Sequence, residues 1–247
     1  MKPGVFKNLR ILFALAVAAV TIWSFMVPDA VGFQRPELAR IFFWHFPCPM
    51  LATLLLILGA WFSFRFTSTK KLSFDVRAVA CMELGYLFCI LTMATGILFS
   101  YVQWGAWWQN DPRQTSFLMV LLIYAAYFGL RGAIADPVKR GLNSGVYALA
   151  ALLPTMFLTF VFPRLPQVQS FHPSDSIMKG NIKGQYAYVV IAVLVLMVWL
   201  TVWMYRLRVR AGTLELNLEE VDDGLETNRG DTAGSTVVRP VRVPRES

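Results

Sequence analysis

The sequence predicts an all-α polytopic membrane protein with six transmembrane helices, both termini cytoplasmic, and an external Trp-rich segment between helices three and four. Three observations carry this. Hydrophobic residues make up 56% of the 247 and charged residues only 15%, too apolar and too charge-poor for a soluble domain of this length. Six continuous apolar runs approach the ~20 residues that a ~30 Å hydrocarbon core requires, and continuous rather than alternating runs mean helices, not a barrel. Seventeen of the 23 basic residues fall on one side of such a bundle and six on the other, and the basic side is the cytoplasmic one. A lipid bilayer is therefore the first partner. The formal charge of +8 does not point to nucleic acid, because the bases come in short clusters between apolar runs and form no reading motif.

The first run extends from Leu9 to Val27 after Lys2 and Lys7. It is no convincing signal peptide, being long and carrying Trp23 and Phe25 before a weak cleavage position near Ala30, so it stays as a span. The second, Ile41 to Phe64, bears I-F-F-W-H-F-P-C-P at its outer end, where Pro47 and Pro49 make the turn irregular and present His45 on distorted backbone. The third, Ala78 to Tyr101, holds Glu83, an acid about a turn and a half from the inner end. Glu83 can snorkel or stay neutral there, and no proton or transport role is assigned to it. The fourth, Ser116 to Ile134, is introduced by Asp111 as N-cap, Pro112 as N1 and Gln114 as N3, a capping-box arrangement. The fifth, Gly145 to Phe162, should kink at Pro154, and the sixth runs from Tyr186 to Tyr205. Residues 1–210 thus form one membrane domain. Residues 211–247 lack apolar periodicity and carry the acids Glu215, Glu219, Glu220, Asp222, Asp223 and Glu226, which predicts a disordered cytoplasmic tail.

Chemistry concentrates in Trp104–Thr115, W-G-A-W-W-Q-N-D-P-R-Q-T. Trp104, Trp107 and Trp108 fall at i, i+3 and i+4, with Asp111 at i+7, so a short helix would put all four on one face as a flat indole shelf. One such Trp is an ordinary interfacial anchor; three on one face exceed that. A shelf with basic residues beside it suits a large flat aromatic ligand carrying negative groups, with haem as the leading candidate. Arg113, tied to the shelf in sequence, and then Arg40 are the guanidiniums placed to pair with ligand carboxylates. His45 and His172 are the two histidines of the chain, and both fall on the outward side, which suits axial ligation of a haem iron from opposite faces. Cys48, Cys81 and Cys89 form no C-x-x-C, so neither dithiol chemistry nor a cysteine metal site is supported.

With those residues in view, W-G-A-W-W-Q-N-D-P-R-Q-T resembles the WWD segment of the haem-handling proteins of cytochrome c maturation, and most closely that of the haem exporter protein C (CcmC) family. The resemblance covers roughly residues 9 to 206. It implies haem contacts from Trp104, Gly105, Trp107, Trp108, Asp111 and Arg113, and haem b ligated by His45 and His172, which match the family's axial positions. It also implies the bacterial inner membrane with the haem site facing the periplasm, and delivery of haem to a membrane-anchored haem chaperone (CcmE). The further partners implied are a small subunit (CcmD) and an ABC-type release complex (CcmAB). Asn110 stands where the family usually has another Trp, which narrows the shelf. Two other readings stay open: a haem lyase acting on apocytochrome directly, and a b-type electron-transfer subunit.

Overall fold

The computed structural model describes residues 3–29, 33–172 and 183–232. Ala30, Lys179 and the tail beyond Thr232 lie outside the described residues. The helices are α1 (Pro3–Met26), α2 (Phe42–His45), α3 (Pro47–Thr69), α4 (Leu72–Trp104), α5 (Pro112–Gly132), α6 (Pro137–Met156) and α7 (Gly184–Thr232). A 3₁₀ turn over Pro36–Ile41 leads into α2, and a π-helical turn over Phe157–Val161 follows α6. Six helical stretches are long and apolar enough to cross a membrane. The chain is a multi-pass membrane protein.

Four of these segments share one core. Leu51, Leu55 and Leu56 of α3 meet Cys81, Met82, Phe88 and Cys89 of α4, with Val120, Tyr124 and Tyr127 of α5 and Ala148 and Ala151 of α6 closing the bundle. Helices α3 and α4 pack closely because the turn between them is minimal. Lys70 caps α3 in the left-handed region at φ 59°, and Lys71 is already the N-cap of α4. Helix α7 lies against α4, and α1 leans on α7 through Phe13, whose ring meets Trp199 and Trp203 edge-on at 5.3 and 6.2 Å.

Helix α4 has 33 residues, about 50 Å at 1.5 Å per residue, so it outreaches the hydrocarbon core and its ends mark two faces of the molecule. At its first end, Asp75 takes two hydrogen bonds from the Arg131 guanidinium, at 3.0 and 2.5 Å, and Arg131 also reaches Ser144 of α6 at 3.2 Å. Asp75, Arg131 and Ser144 thereby tie α4, α5 and α6 together at one level. Both charged side chains are nearly out of solvent, so Arg131→Ala would strand a buried carboxylate. A cost of about 3–5 kcal/mol follows, to be read as a lowered thermal unfolding midpoint in detergent; an unchanged midpoint would show that the pair is not structural.

Two expectations need correction here. The chain remains helical through Thr232, so the boundary set at residue 211 falls inside α7. From Arg206 to Thr232 the sequence is rich in Arg, Leu and Glu and free of proline, and a helix already nucleated by the span need only propagate. Glu83, expected to snorkel or stay neutral, is instead paired with Arg208 of α7 at 2.5 and 3.0 Å. In the second span, Phe46 keeps helical angles at φ −57° and ψ −43°, so α2 runs into α3 without a break in direction. What Pro47 and Pro49 remove is backbone donors.

Candidate functional site

At the other end of α4, a cavity of about 550 Å³ opens among α2, α3, α4, α5 and the π turn, within the roughly 300–1,000 Å³ of cofactor-sized pockets. Its wall is largely apolar and aromatic, including Phe33, Phe42, Phe99, Trp104 and Phe117, and it holds both His45 and His172.

His45 is 8% exposed and fixed from several sides. Its Nδ1 lies 2.8 Å from Thr95 Oγ1. The one hydroxyl proton of Thr95 goes to the Leu91 carbonyl at 2.6 Å, so Thr95 accepts from His45 Nδ1–H and the imidazole lone pair is left on Nε2. Phe99 stacks on the ring at 6.0 Å and 15°. Gly96 leaves the ring its space, since a Cβ there would lie 3.1 Å from His45 Cε1.

His172 faces it with ring centroids 6.1 Å apart and planes at 71°. Trp104 and Phe99 flank it at 5.5 and 6.0 Å. Burial pushes the His172 imidazole down to about 4, the Arg113 charge adds to this and Asp111 opposes it, so the ring is neutral at pH 7. Among the described residues its Nδ1 is buried without a partner, and so are Nε and Nη2 of Arg113 and the Thr159 hydroxyl. All three residues border the same cavity. Buried donors without partners are costly and uncommon in folded proteins, and their gathering around one void marks a place for a polar-edged ligand.

The Trp shelf is corrected by the structure. Gly105 ends α4 in the left-handed region at φ 82°, and the chain from there to Asp111 is not helical. The three indoles therefore do not share a helical face. Trp104, the last residue of α4, turns into the cavity; Trp107 stacks outside on Tyr101 at 4.2 Å and 6°, and Trp108 donates to the Asn110 side chain at 2.9 Å. Asn110 sits at φ 52°, a conformation that asparagine tolerates better than a bulky residue. Asp111 caps α5 as expected, accepting from Arg113 N at 2.8 Å with Pro112 behind it. Gln114, however, accepts from Gln109 N at 3.0 Å instead of closing a capping box.

Arg113 lines the cavity, as its place beside the Trp segment predicts. Arg40 is directed elsewhere: its guanidinium donates to the carbonyls of Ser24 and Val27 at the end of α1 and pairs with Asp29 at 2.9 Å. Gly105, Trp107, Trp108 and Asp111 do not line the cavity either. Several contributors carried no local signal. Gln103 accepts from Arg35 N at 3.1 Å and donates to Arg35 O at 3.0 Å, which secures the segment that brings Phe33 to the wall. Ser100 donates to Ala106 O at 2.9 Å and folds the Trp segment back onto α4.

Fold and site together define a polytopic membrane protein with one aromatic, two-histidine cavity at an end of its bundle. The family model for Heme exporter protein C matches residues 3–222, and the chain belongs to that family. Relatives include Heme exporter protein C of Paracoccus denitrificans, 27% identical over 128 residues that are 52% of each chain, and that of Haemophilus influenzae, 23% identical over 75% of this chain and 77% of the other. A putative cytochrome c biosynthesis ccmC-like mitochondrial protein of Marchantia polymorpha is 29% identical over 53% of this chain and 58% of its own length. The chain spans about half the length of the first of these relatives.

Proposed function

We propose that the protein handles haem for cytochrome c biogenesis: it holds haem b in the two-histidine cavity at the periplasmic face of the bacterial inner membrane and passes it to a membrane-anchored chaperone, CcmE. The small subunit CcmD and the ABC-type CcmAB complex are the partners that this reading brings with it. The observation that carries it is the 6.1 Å separation of the His45 and His172 rings on the wall of one cavity. Two imidazoles bonded to a single metal ion at about 2 Å each have ring centres roughly 6 Å apart.

The donor set favours a metal that arrives with its own equatorial ligands. Among the described residues, no group of three or more His, Cys, Asp or Glu gathers to hold a bare ion; two imidazoles suffice for the axial positions of a haem. Thr95 fixes the tautomer and orientation of His45, the support a ligating histidine needs from its second nitrogen. Arg113, half-buried in the wall with its Nε and Nη2 enclosed and unpartnered among the described residues, is suited to a propionate. Trp104 and Phe99 supply aromatic surface beside the imidazoles.

The test has two arms. Absorption spectra of the purified haem-loaded protein, recorded before and after addition of the apo-chaperone, should show haem leaving this protein and appearing on the chaperone. Haem that moves instead into covalent linkage with an added apocytochrome, with no chaperone present, would favour the lyase reading. For sidedness, a reporter fused after Arg206 should read cytoplasmic and one inserted near Asp175 external; both on one side would overturn the six-span topology.

A further inference from the structure

We propose that Asp111 is the positioning residue for His172, and that the N-terminus of α5, through this one carboxylate, sets where the second imidazole stands. The inference rests on the haem reading above and adds to it a support that a capping role alone does not require. Asp111 is 2% exposed and divides its two oxygens between two tasks. Oδ1 accepts from Arg113 N at 2.8 Å and so caps α5. Oδ2 alone accepts from Phe171 N at 2.6 Å, some 60 residues along the chain, and the Ser170 hydroxyl donates between the two oxygens, at 2.8 Å from Oδ2 and 3.1 Å from Oδ1. Ser170 Oγ in turn accepts from His172 N at 3.1 Å. The loop bearing His172 is thus bonded to a rigid helix end through a charge-assisted pair of hydrogen bonds, immediately before the imidazole. His45 needs no such support, because α2 and α3 carry it.

Asparagine at 111 separates the two tasks. Its carbonyl oxygen can still accept from Arg113 N, so α5 stays capped. Its amide group then occupies the Oδ2 side and confronts the Phe171 N–H, donor against donor. Ser170→Ala removes the hydroxyl's bond to Asp111 and the one it accepts from His172 N, and leaves both the cap and the Phe171 bond, so it guards against a variant that merely misfolds. Hydrogen exchange is measured first, on haem-free protein, at the amides of Phe171 and His172. At Phe171, Asp111→Asn should speed it roughly tenfold or more, as loss of a charge-assisted hydrogen bond warrants, and Ser170→Ala should do so less; at His172, whose acceptor is Ser170 Oγ, Ser170→Ala should speed it at least as much. The second readout is the haem spectrum, in which Asp111→Asn should yield a high-spin fraction that added imidazole converts to low-spin.

Unchanged exchange at Phe171 in Asp111→Asn overturns the proposal. So does faster exchange with a fully low-spin spectrum in Asp111→Asn, provided that His172→Gly does alter the spectrum. If His172→Gly leaves the spectrum as it was, the ligand assignment fails while the exchange measurement still decides whether Asp111 holds the loop.

Discussion

Haem-loaded wild-type protein is expected to show a six-coordinate low-spin spectrum, and His45→Gly or His172→Gly should each either lose haem or turn high-spin and respond to added imidazole. The two rings stand 6.1 Å apart, so removing either leaves one axial position open while the other remains. The refilling should differ between the two variants. His45 lies in a cleft shaped by Gly96, Thr95 and Phe99, which persists when the ring is deleted, so free imidazole should re-enter there and meet the Thr95 hydroxyl. His172 stands on a loop, and a glycine at that position loosens the wall itself, so rescue should be weaker and haem loss greater. A low-spin spectrum unchanged in both single variants would mean that other groups hold the iron.

Trp104→Ala should weaken haem retention roughly thirtyfold, since covering an aromatic face is worth about 2 kcal/mol, whereas the Trp107→Ala/Trp108→Ala double variant should stay within about twofold, the range of surface substitutions. The division follows from where α4 stops. Trp104 is its last turn and borders the cavity beside His172 at 5.5 Å. Trp107, 55% exposed, and Trp108, 37% exposed, stand outside it. Rates of haem loss to an excess of a haem-scavenging protein measure the difference. A double variant that loses haem faster than Trp104→Ala would reinstate a three-indole surface.

Much of the architecture was legible because it depends on local composition. Six apolar runs became six spans, and His45, His172 and Arg113 arrived at one cavity because the topology brings their segments to the same end of the bundle. The Trp segment was misread through its terminator. The i, i+3, i+4 spacing of the three Trp residues suggests one helical face, but Gly105, just after the apolar run, is a strong C-cap signal that sets Trp104 apart from Trp107 and Trp108. Arg40 lies only five residues before His45 in sequence, but the carbonyls at the end of α1 take its guanidinium. Other features had no local signature. Thr95 meets His45 across 50 residues and Asp111 meets Phe171 across 60, distances over which a single sequence carries no pairing information.

The π turn at Phe157–Val161 makes the far wall of the cavity a matter of counting. Pro154 cannot donate within α6, and just beyond it the helix takes up a wider turn that holds more residues than an α turn. Thr159 and Phe160 reach the cavity from that widened turn, and Pro163 and Arg164 from the residues just after it. Closing that turn to α geometry without removing a residue would rotate everything after it by roughly one residue's 100° step. The wall would then be presented from the wrong side of the helix with hardly a side chain altered. For this part of the molecule the length of the segment is itself a structural instruction: the wide turn takes up one residue more than α geometry needs, and so keeps the wall on the side facing the cavity.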